Sequence, residues 1–182
     1  MPRPPEPGRN ALLQAGTDIA AADGLRGLSI NAVVAAAGMA KGTFYHHFPD
    51  RRSYVIALHR RYHEELGKLI GTAIEGRAPG AERLRIGITA YLDACLNTRG
   101  TKAFLAQSRT ETDLLDEVLA RNQEFVALLE PDLGMLGWAD PAAVARLVIA
   151  MAAEIALVEM YSGGVRAELR SALDALIERR PA

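Results

Sequence analysis

The stretch that decides the fold prediction reads Gly38-Met-Ala-Lys-Gly-Thr-Phe-Tyr-His-His-Phe48. Its first glycine predicts a tight turn, and the residues after it predict a helix of one to two turns. Phe44 and Phe48 are four residues apart, so they share one helix face and can be buried together. Hydrogen-bonding groups occupy other positions of the stretch: Lys41, Thr43, Tyr45, His46 and His47. A helix that reads DNA requires this separation of an apolar face from a polar one.

The composition indicates a protein with a substantial hydrophobic core. The chain has 182 residues, 49% of them hydrophobic, which suits one compact protein or a small domain joined to a larger one. The single cysteine, Cys95, excludes an intrachain disulfide framework and a zinc site built from several cysteines. The proline-rich start lacks the apolar core of a signal peptide, and two glutamates interrupt the longest apolar stretch, 147–160. We therefore expect a soluble, cytoplasmic protein.

Charge is distributed unevenly along the chain, although the formal net charge is only −1. Residues 1–62 contain eight Lys and Arg against four Asp and Glu, whereas the remaining residues contain 13 against 18. A basic segment joined to a mildly acidic body is typical of a small nucleic-acid-binding module attached to a larger domain. A solvated charged face would produce the same counts, so charge alone does not decide between these two interpretations.

Apolar residues recur at helical spacing along most of the chain, and no segment shows convincing strand alternation. The fold prediction is therefore all-α, with about nine helices. The expected helices cover about 9–22, 30–37, 41–47, 51–74, 84–99, 102–111, 113–130, 141–161 and 165–179.

Glycine, proline and capping residues set the expected ends of these helices. Gly24 is placed to end the first helix, and Ser29 is a good N-cap for the second, which Gly38 should end. Asp50 can cap the long fourth helix, and Pro131 should end the helix that begins near residue 113.

A known pattern of residues connects these helix ends. A glycine follows the first helix, a hydroxyl residue opens the second, and Ala-Gly, Gly-Thr-aromatic-Tyr, a His pair, Phe and a basic residue come next. The residues that carry this pattern are Gly24, Ser29, Val33, Val34, Ala37, Gly38, Gly42, Thr43, Phe44, Tyr45, His46, His47, Phe48 and Arg51. In this order and spacing, the segment resembles the N-terminal domain of the tetracycline-repressor (TetR) family of bacterial transcriptional regulators.

The resemblance implies a division of the chain into four parts. These are a disordered tail over 1–8, a helix-turn-helix DNA-binding domain over 9–50, a connecting helix over 51–75, and a ligand-binding and dimerisation domain over 76–182. The segment Gly76–Gly80, which contains Pro79, is the expected hinge. Arg3 and Arg9 near the start could instead reach into a minor groove, as the arms of other DNA-binding proteins do.

The resemblance also implies roles for single residues around the helix over 41–47, which would enter the major groove. The candidate base readers are Lys41, Thr43 and His46, joined by Asn31. Phosphate contacts are implied for Ser29, Tyr45, His47 and Arg51, and Gly42 would allow close approach to the DNA backbone. Structural interpretations stay open for three of them, with Ser29 as an N-cap only, Tyr45 as partly packed and Arg51 as a solvated first-turn residue.

Two positions depart from the family pattern. Ala40 stands where a capping Ser or Thr is common, so the helix over 41–47 should be weakly capped, at a cost of about 1 kcal/mol. Arg51-Arg52 replaces the common Lys-Glu pair. The extra positive charge should strengthen phosphate attraction and make DNA binding more sensitive to salt.

The last two helices are the expected dimer elements, because small and apolar residues recur along both of them. The interface residues predicted from this pattern are Met151, Ile155, Val158, Val165, Leu169, Leu173 and Leu176. Two helices from each subunit would form a four-helix interface in a C2 homodimer, which matches a palindromic operator. The alternative is that both helices belong to the core of a monomer.

Polar residues on apolar stripes of the C-terminal part are the candidates for a ligand pocket. They are Tyr91, Cys95, Gln107, Glu111, Asn122, Trp138 and Glu154. A mainly apolar cavity with few polar anchors would suit a hydrophobic or aromatic small-molecule inducer.

An enzyme is not expected, because the chain lacks a P-loop, a Gly-x-Gly-x-x-Gly fingerprint, a Gly-x-Ser-x-Gly elbow and a Glu-x-x-His pair. His59 and His63 are four residues apart, a spacing that permits metal binding, but no suitable third ligand is evident. We therefore expect no metal and no cofactor. The leading hypothesis is a ligand-responsive repressor, and the alternative is a small-molecule- or metal-binding helical protein without DNA function.

Overall fold

The computed structural model describes residues 7–98 and 115–178, and their side chains except those of 24–26 and 115–117. Every regular element in these ranges is a helix, which confirms the all-α prediction. The helices are α1 (Pro7–Gly27), α2 (Ile30–Ala36), α3 (Lys41–His47), α4 (Arg51–Ile74), α5 (Ala81–Asn97), α6 (Leu115–Met135), α7 (Pro141–Ser162) and α8 (Ala167–Glu178). The helix expected over 102–111 lies outside the described residues.

Local capping chemistry explains why α2 and α4 begin where the sequence predicts. The Ser29 hydroxyl oxygen accepts a hydrogen bond from the Ala32 amide at 3.1 Å and so caps α2. A carboxylate oxygen of Asp50 accepts one from the Ser53 amide at 2.7 Å in the first turn of α4. Ala40 precedes α3 and makes no side-chain capping bond, as expected. Gly38, at φ +65°, supplies the left-handed turn between α2 and α3.

Two predicted helix ends are wrong. α1 continues through Gly24 to Gly27, because a glycine that keeps helical geometry costs a helix only about 1 kcal/mol. α6 continues through Pro131 to Met135. Proline removes one backbone donor, but the next two residues, Asp132 and Leu133, are both buried, so packing favours the continued helix.

The described chain forms two compact units. The first contains α1 to α3 and the part of α4 that ends at His63, and the second contains α4 from Glu64, α5, and α6 to α8. The segment Gly76–Gly80, predicted as a hinge, lies within the second unit. The domain boundaries drawn from the sequence stay a prediction.

Asp132 is a buried carboxylate that fastens the start of α5 to α6 within the second unit. It accepts hydrogen bonds from the Gly80 amide at 2.8 Å and from Arg83 Nε at 2.7 Å. Arg83 also reaches the Leu128 carbonyl at 3.4 Å. These bonds give the buried carboxylate both a counter-charge and a backbone donor, as burial of a charged group requires.

Glu159 on α7 is a second buried carboxylate, and it holds the start of α8. Both of its oxygens accept hydrogen bonds from Arg170 at 2.7 Å, and the Arg166 amide donates at 3.0 Å. Arg170 also binds Asp93 on α5 at 2.7 Å. The hydrogen bonds from Arg170 hold the pKa of the Glu159 carboxyl below its ordinary value, although burial opposes them. Glu159 therefore connects α7 to α8, and through Arg170 to α5.

Among the described helices, α7 alone is long and apolar enough to cross a bilayer, judged by length and composition. That test is also passed by core helices of soluble proteins. One side of α7, including Val148, Ala152 and Ala156, is buried in the core of the second unit, and Glu159 is ion-paired there. These contacts show that the apolar inner side of α7 packs in the core of the second unit.

Candidate nucleic-acid interface

Three aromatic rings anchor α3 in the first unit. Phe44 and Phe48 have ring centroids 5.6 Å apart, and both contact Tyr54 of α4, at 5.2 and 5.0 Å. All three side chains are buried. The prediction that the two phenylalanines face the core is confirmed, and α3 presents its opposite side to solvent.

Tyr54 also connects α4 to α1 by a buried hydrogen bond. Its hydroxyl donates to the Leu12 carbonyl at 2.5 Å, and burial raises the pKa of this phenol. The hydroxyl passes directly over Gly16, where an added Cβ would lie 2.9 Å from Tyr54 Cζ and 3.0 Å from Leu58 Cδ1. Only glycine leaves room there, so Tyr54, on which Phe44 and Phe48 pack, is held close against α1.

The solvent side of α3 carries most of the residues predicted to read DNA. Lys41, Gly42, Tyr45 and His46 are exposed, whereas Thr43 is half-buried. An added Cβ at Gly42 would meet no atom within 4 Å, so the packing of this chain does not require glycine at that position. The absence of a side chain leaves open space on the surface where the duplex backbone is expected.

Ser29 and Asn31 lie at the start of α2, and both are exposed. The capping role considered for Ser29 is confirmed by its bond to the Ala32 amide. A phosphate contact from the same hydroxyl stays a prediction. The direct reading of a base by Asn31 also stays a prediction.

Arg51, a predicted phosphate contact, has a bond within the protein. Its Nε donates to the Leu28 carbonyl at 2.7 Å, from the first residue of α4 to the residue before the N-cap of α2. The interpretation as a merely solvated first-turn residue is therefore wrong, because the guanidinium holds a backbone oxygen.

The first turn of α1 packs against the end of α3. An added Cβ at Gly8 would lie 2.9 Å from His47 Nε2, and Arg9 stacks over the Phe48 ring at 5.1 Å from its centroid. Arg9 is thus part of a helix and not of an extended minor-groove arm, as the sequence had allowed. Arg3 lies outside the described residues.

The predicted pocket residues occupy different environments in the second unit. Cys95 is fully buried in the core, and Tyr91 and Trp138 are partly buried against it. Asn122 is half-buried, and Gln107 and Glu111 lie outside the described residues. Glu154 is exposed, so it does not face the core as predicted. Glu159, five residues later on the opposite side of α7, is the buried glutamate.

The predicted dimer residues also separate into two groups. Ile155 and Leu173 are buried in the core of one chain, so their assignment to a dimer interface is wrong. Met151, Val158 and Leu169 are half-buried, whereas Val165 and Leu176 are more than half exposed. The apolar residues that α7 presents to solvent are instead Leu147 at 62% and Tyr161 at 79% exposure. The sequence assigned the wrong side of α7 to the interface, because α7 is apolar on nearly its whole circumference and the pattern does not distinguish its two sides.

His59 and His63 pack against each other on α4, with ring centroids 4.4 Å apart. His59 is buried and His63 half-buried, so the two rings do not form a solvent-exposed pair. Within the described ranges, no cluster of three or more His, Cys, Asp or Glu could hold a metal ion.

The first unit thus consists of two short helices joined by a glycine turn, with the second helix anchored by aromatics and polar outward. This arrangement defines a helix-turn-helix DNA-binding protein. Residues 12–58 match the family model described as bacterial regulatory proteins, tetR family. Residues 12–58 therefore form a tetR-family DNA-binding segment, as the sequence resemblance predicted, and the protein is a DNA-binding transcriptional regulator.

Relatives along most of the chain agree with this assignment. An uncharacterized HTH-type transcriptional regulator of Mycobacterium tuberculosis is 26% identical over 144 residues, which are 79% of this chain and 70% of the relative. A transcriptional regulator from Rhodococcus sp. Rha1 superposes with a TM-score of 0.79 at 23% identity, covering 95% of this chain and 99% of that one. The fatty acid degradation regulator FadR from Bacillus halodurans superposes at 0.81 and 15% identity, covering 97% of each chain. The two superpositions show that the fold is shared, and at identities this low they show the fold alone.

Proposed function

We propose that the protein is a homodimeric repressor in the cytoplasm, which binds a palindromic operator and is released from it by a hydrophobic or aromatic small molecule. The observation that carries the proposal is the exposed polar side of α3, opposite the buried phenylalanine pair. Enzymatic activity has no part in this proposal.

Base reading is assigned to Lys41, Thr43 and His46 on α3, together with Asn31 on α2. Lysine can donate to O6 and N7 of guanine, and the asparagine side-chain amide can accept from N6 of adenine through its oxygen and donate to N7 through its nitrogen. Lys41, Asn31 and His46 are exposed, which supports their access to a groove. Tyr45, with 49% of its side chain exposed, and Ser29 are the proposed phosphate contacts, which set the register without reading sequence.

Dimerisation is assigned to the outer sides of α7 and α8. Leu147 and Tyr161 on α7, and Val165 and Leu176 beyond it, are large apolar side chains exposed in the single chain. Exposed apolar surface on two neighbouring helices supports a subunit contact. A C2 dimer would place two copies of α3 on half-sites about one helical turn apart, which requires a palindromic operator.

Ligand response is assigned to the second unit. Tyr91 and Trp138 border its apolar core, and Asn122 offers an amide at its edge, which together favour an apolar or aromatic ligand. α4 continues along the chain from the first unit into the second. A ligand that binds better to one position of α4 would favour one separation of the two copies of α3, and so would change operator affinity.

A gel-shift titration with duplex DNA that flanks the protein's own coding region tests the proposal. We expect a retarded complex at low salt and a steep loss of affinity at higher salt, because phosphate contacts release counterions. The same titration with the aromatic probe anilinonaphthalene sulfonate tests whether an apolar ligand lowers DNA affinity. Failure to bind any duplex, or binding that ignores salt, would contradict DNA regulation, and a probe without effect would contradict the ligand class.

A further inference from the structure

One hydrogen bond closes the helix-turn-helix segment at its base. Arg51 Nε, at the start of α4, donates to the backbone carbonyl of Leu28 at 2.7 Å. The two residues are 23 positions apart, and α2, the turn at Gly38 and α3 all lie between them. We call the segment formed by α2, the turn at Gly38 and α3 the reading element. The bond therefore joins its two ends.

We propose that Arg51 is a positioning residue for DNA recognition, whose bond to Leu28 holds α2 and α3 in the arrangement that fits the duplex. This inference rests on the DNA-binding function described above. It replaces phosphate contact, the role expected from the sequence, as the main contribution of Arg51. The expected consequence is that the donor at Nε matters more for DNA affinity than the positive charge does.

The first turns of α4, from which Arg51 projects, are held by hydrogen bonds. Asp50 caps the first turn of α4 through the Ser53 amide, and Tyr54, one turn further on, is bound to the Leu12 carbonyl. At the other end of the bond, the Leu28 side chain is buried and the Ser29 amide bonds to the Gly27 carbonyl at 2.8 Å. Both partners are fixed, so the bond transmits the position of α4 to the first residue of α2.

Each of the two helices in the reading element is too short to be stable alone. α2 and α3 are seven residues each, and Ala40, the N-cap residue of α3, makes no side-chain capping bond. Short helices are marginal unless packing holds them. A charge-assisted bond at the base of the element is stronger than a neutral one and fixes the junction from which Ser29 and Asn31 project. Its loss would leave the element folded but less well ordered for binding.

Two substitutions separate the donor from the charge. Arg51→Gln keeps an N–H donor, because glutamine Nε2 is as many bonds from Cβ as arginine Nε is, but it removes the positive charge. Arg51→Lys keeps the charge but places a methylene at that point, with its ammonium one bond further out. The same two substitutions at the neighbouring Arg52, which is also exposed, are the matched control, since they change equal charge and leave the Arg51–Leu28 bond untouched.

The probe is a duplex of about 30 base pairs that the wild-type protein selects from a randomised pool, long enough for two half-sites. We expect Arg51→Lys to bind it about ten-fold more weakly than wild type, and Arg51→Gln to stay within about three-fold. The slope of log affinity against log salt should not change in Arg51→Gln, whereas loss of a phosphate contact would reduce it by about one. Circular dichroism without DNA checks that each variant is folded.

Arg51→Lys binding as well as or better than Arg51→Gln would overturn the inference, as would a reduced salt slope in Arg51→Gln. Equal losses in Arg51→Lys and Arg52→Lys would also overturn it, since the substitution at Arg52 leaves the Arg51–Leu28 bond untouched. A wild-type protein that retains no duplex from the pool would instead contradict the DNA-binding function itself, which keeps the two failures distinct.

Discussion

Replacing Gly42 with alanine should make the protein more stable and, at the same time, a weaker DNA binder. Gly42 lies in the first turn of α3, its φ is not in the left-handed region, and an added Cβ would meet no atom within 4 Å. Alanine therefore gains helix propensity without a steric cost, which is worth about 0.5 kcal/mol at an exposed first-turn position. For a protein of this size the midpoint of thermal unfolding should rise by about 1–2 °C.

The same methyl group would occupy the surface space into which the DNA backbone is expected to fit. Overpacking of a close contact costs about 1–3 kcal/mol, so the affinity for a selected duplex should fall at least about five-fold. Thermal unfolding followed by circular dichroism gives the stability, and fluorescence anisotropy of a labelled duplex gives the affinity. Relative to wild type, the thermal midpoint of Gly42→Ala should rise and its affinity for the duplex should fall.

Gly71→Ala is the matched control. Gly71 lies inside α4, is also free of neighbours for an added Cβ, and has no predicted DNA contact. It should gain stability by a similar or slightly larger amount and bind DNA like wild type. If Gly42→Ala binds as tightly as wild type, the DNA backbone does not approach α3 at this residue. A loss of stability in Gly42→Ala would show that the helix-propensity argument is wrong.

Four further substitutions test separate parts of the structure. Lys41→Ala should remove about 1–3 kcal/mol of discrimination between selected and scrambled duplexes, and an unchanged preference in competition gel shifts would rule out base reading by Lys41. Gly16→Ala forces a methyl group into Tyr54 and should lower the free energy of unfolding by about 1–3 kcal/mol in urea titrations, whereas Gly67→Ala, with nothing within 4 Å, should not. Glu159→Gln should cost about 2 kcal/mol near neutral pH. The pKa of Glu159 is lowered in the folded protein, so the difference in unfolding free energy between wild type and Glu159→Gln should persist at pH values above 4.5, the ordinary pKa of glutamate. It should shrink as the pH falls below 4.5. A difference that does not depend on pH would refute the ion pair as its cause. Leu147→Glu should shift sedimentation toward monomer, while Leu119→Glu, at an exposed position of α6, should leave the oligomer as it is.

The first unit could be predicted closely because its signals are local. Ser29, Gly38 and Asp50 each act on backbone groups within a few residues, so their chemistry can be read from neighbouring positions. Phe44 and Phe48 follow from helical spacing alone. What the local pattern does not contain is the bond between Arg51 and Leu28, which joins residues that only the folded chain brings together.

The second unit was predicted less well, for two physical reasons. Its helix ends depend on packing, as the continuation of α6 past Pro131 shows, where burial of Leu133 outweighs a lost backbone donor. α7 is apolar on most of its circumference, so periodicity could not distinguish the core side from the solvent side. Ile155 and Glu154 were consequently assigned to the wrong surroundings, and Glu159 was taken for an interruption of an apolar stretch when it is an ion-paired core residue.

The division of α3 into a buried aromatic side and an exposed polar side has a consequence for how this protein could diversify. Phe44 and Phe48 carry the packing, whereas Lys41 and His46 are exposed, and Tyr45 only places its ring edge-on to Phe44 at 5.6 Å. Substitutions at the exposed positions can therefore accumulate without loss of folding. From the proposed base contacts, we expect that substitutions at a few exposed positions of α3 would be enough to change the operator that the protein recognises.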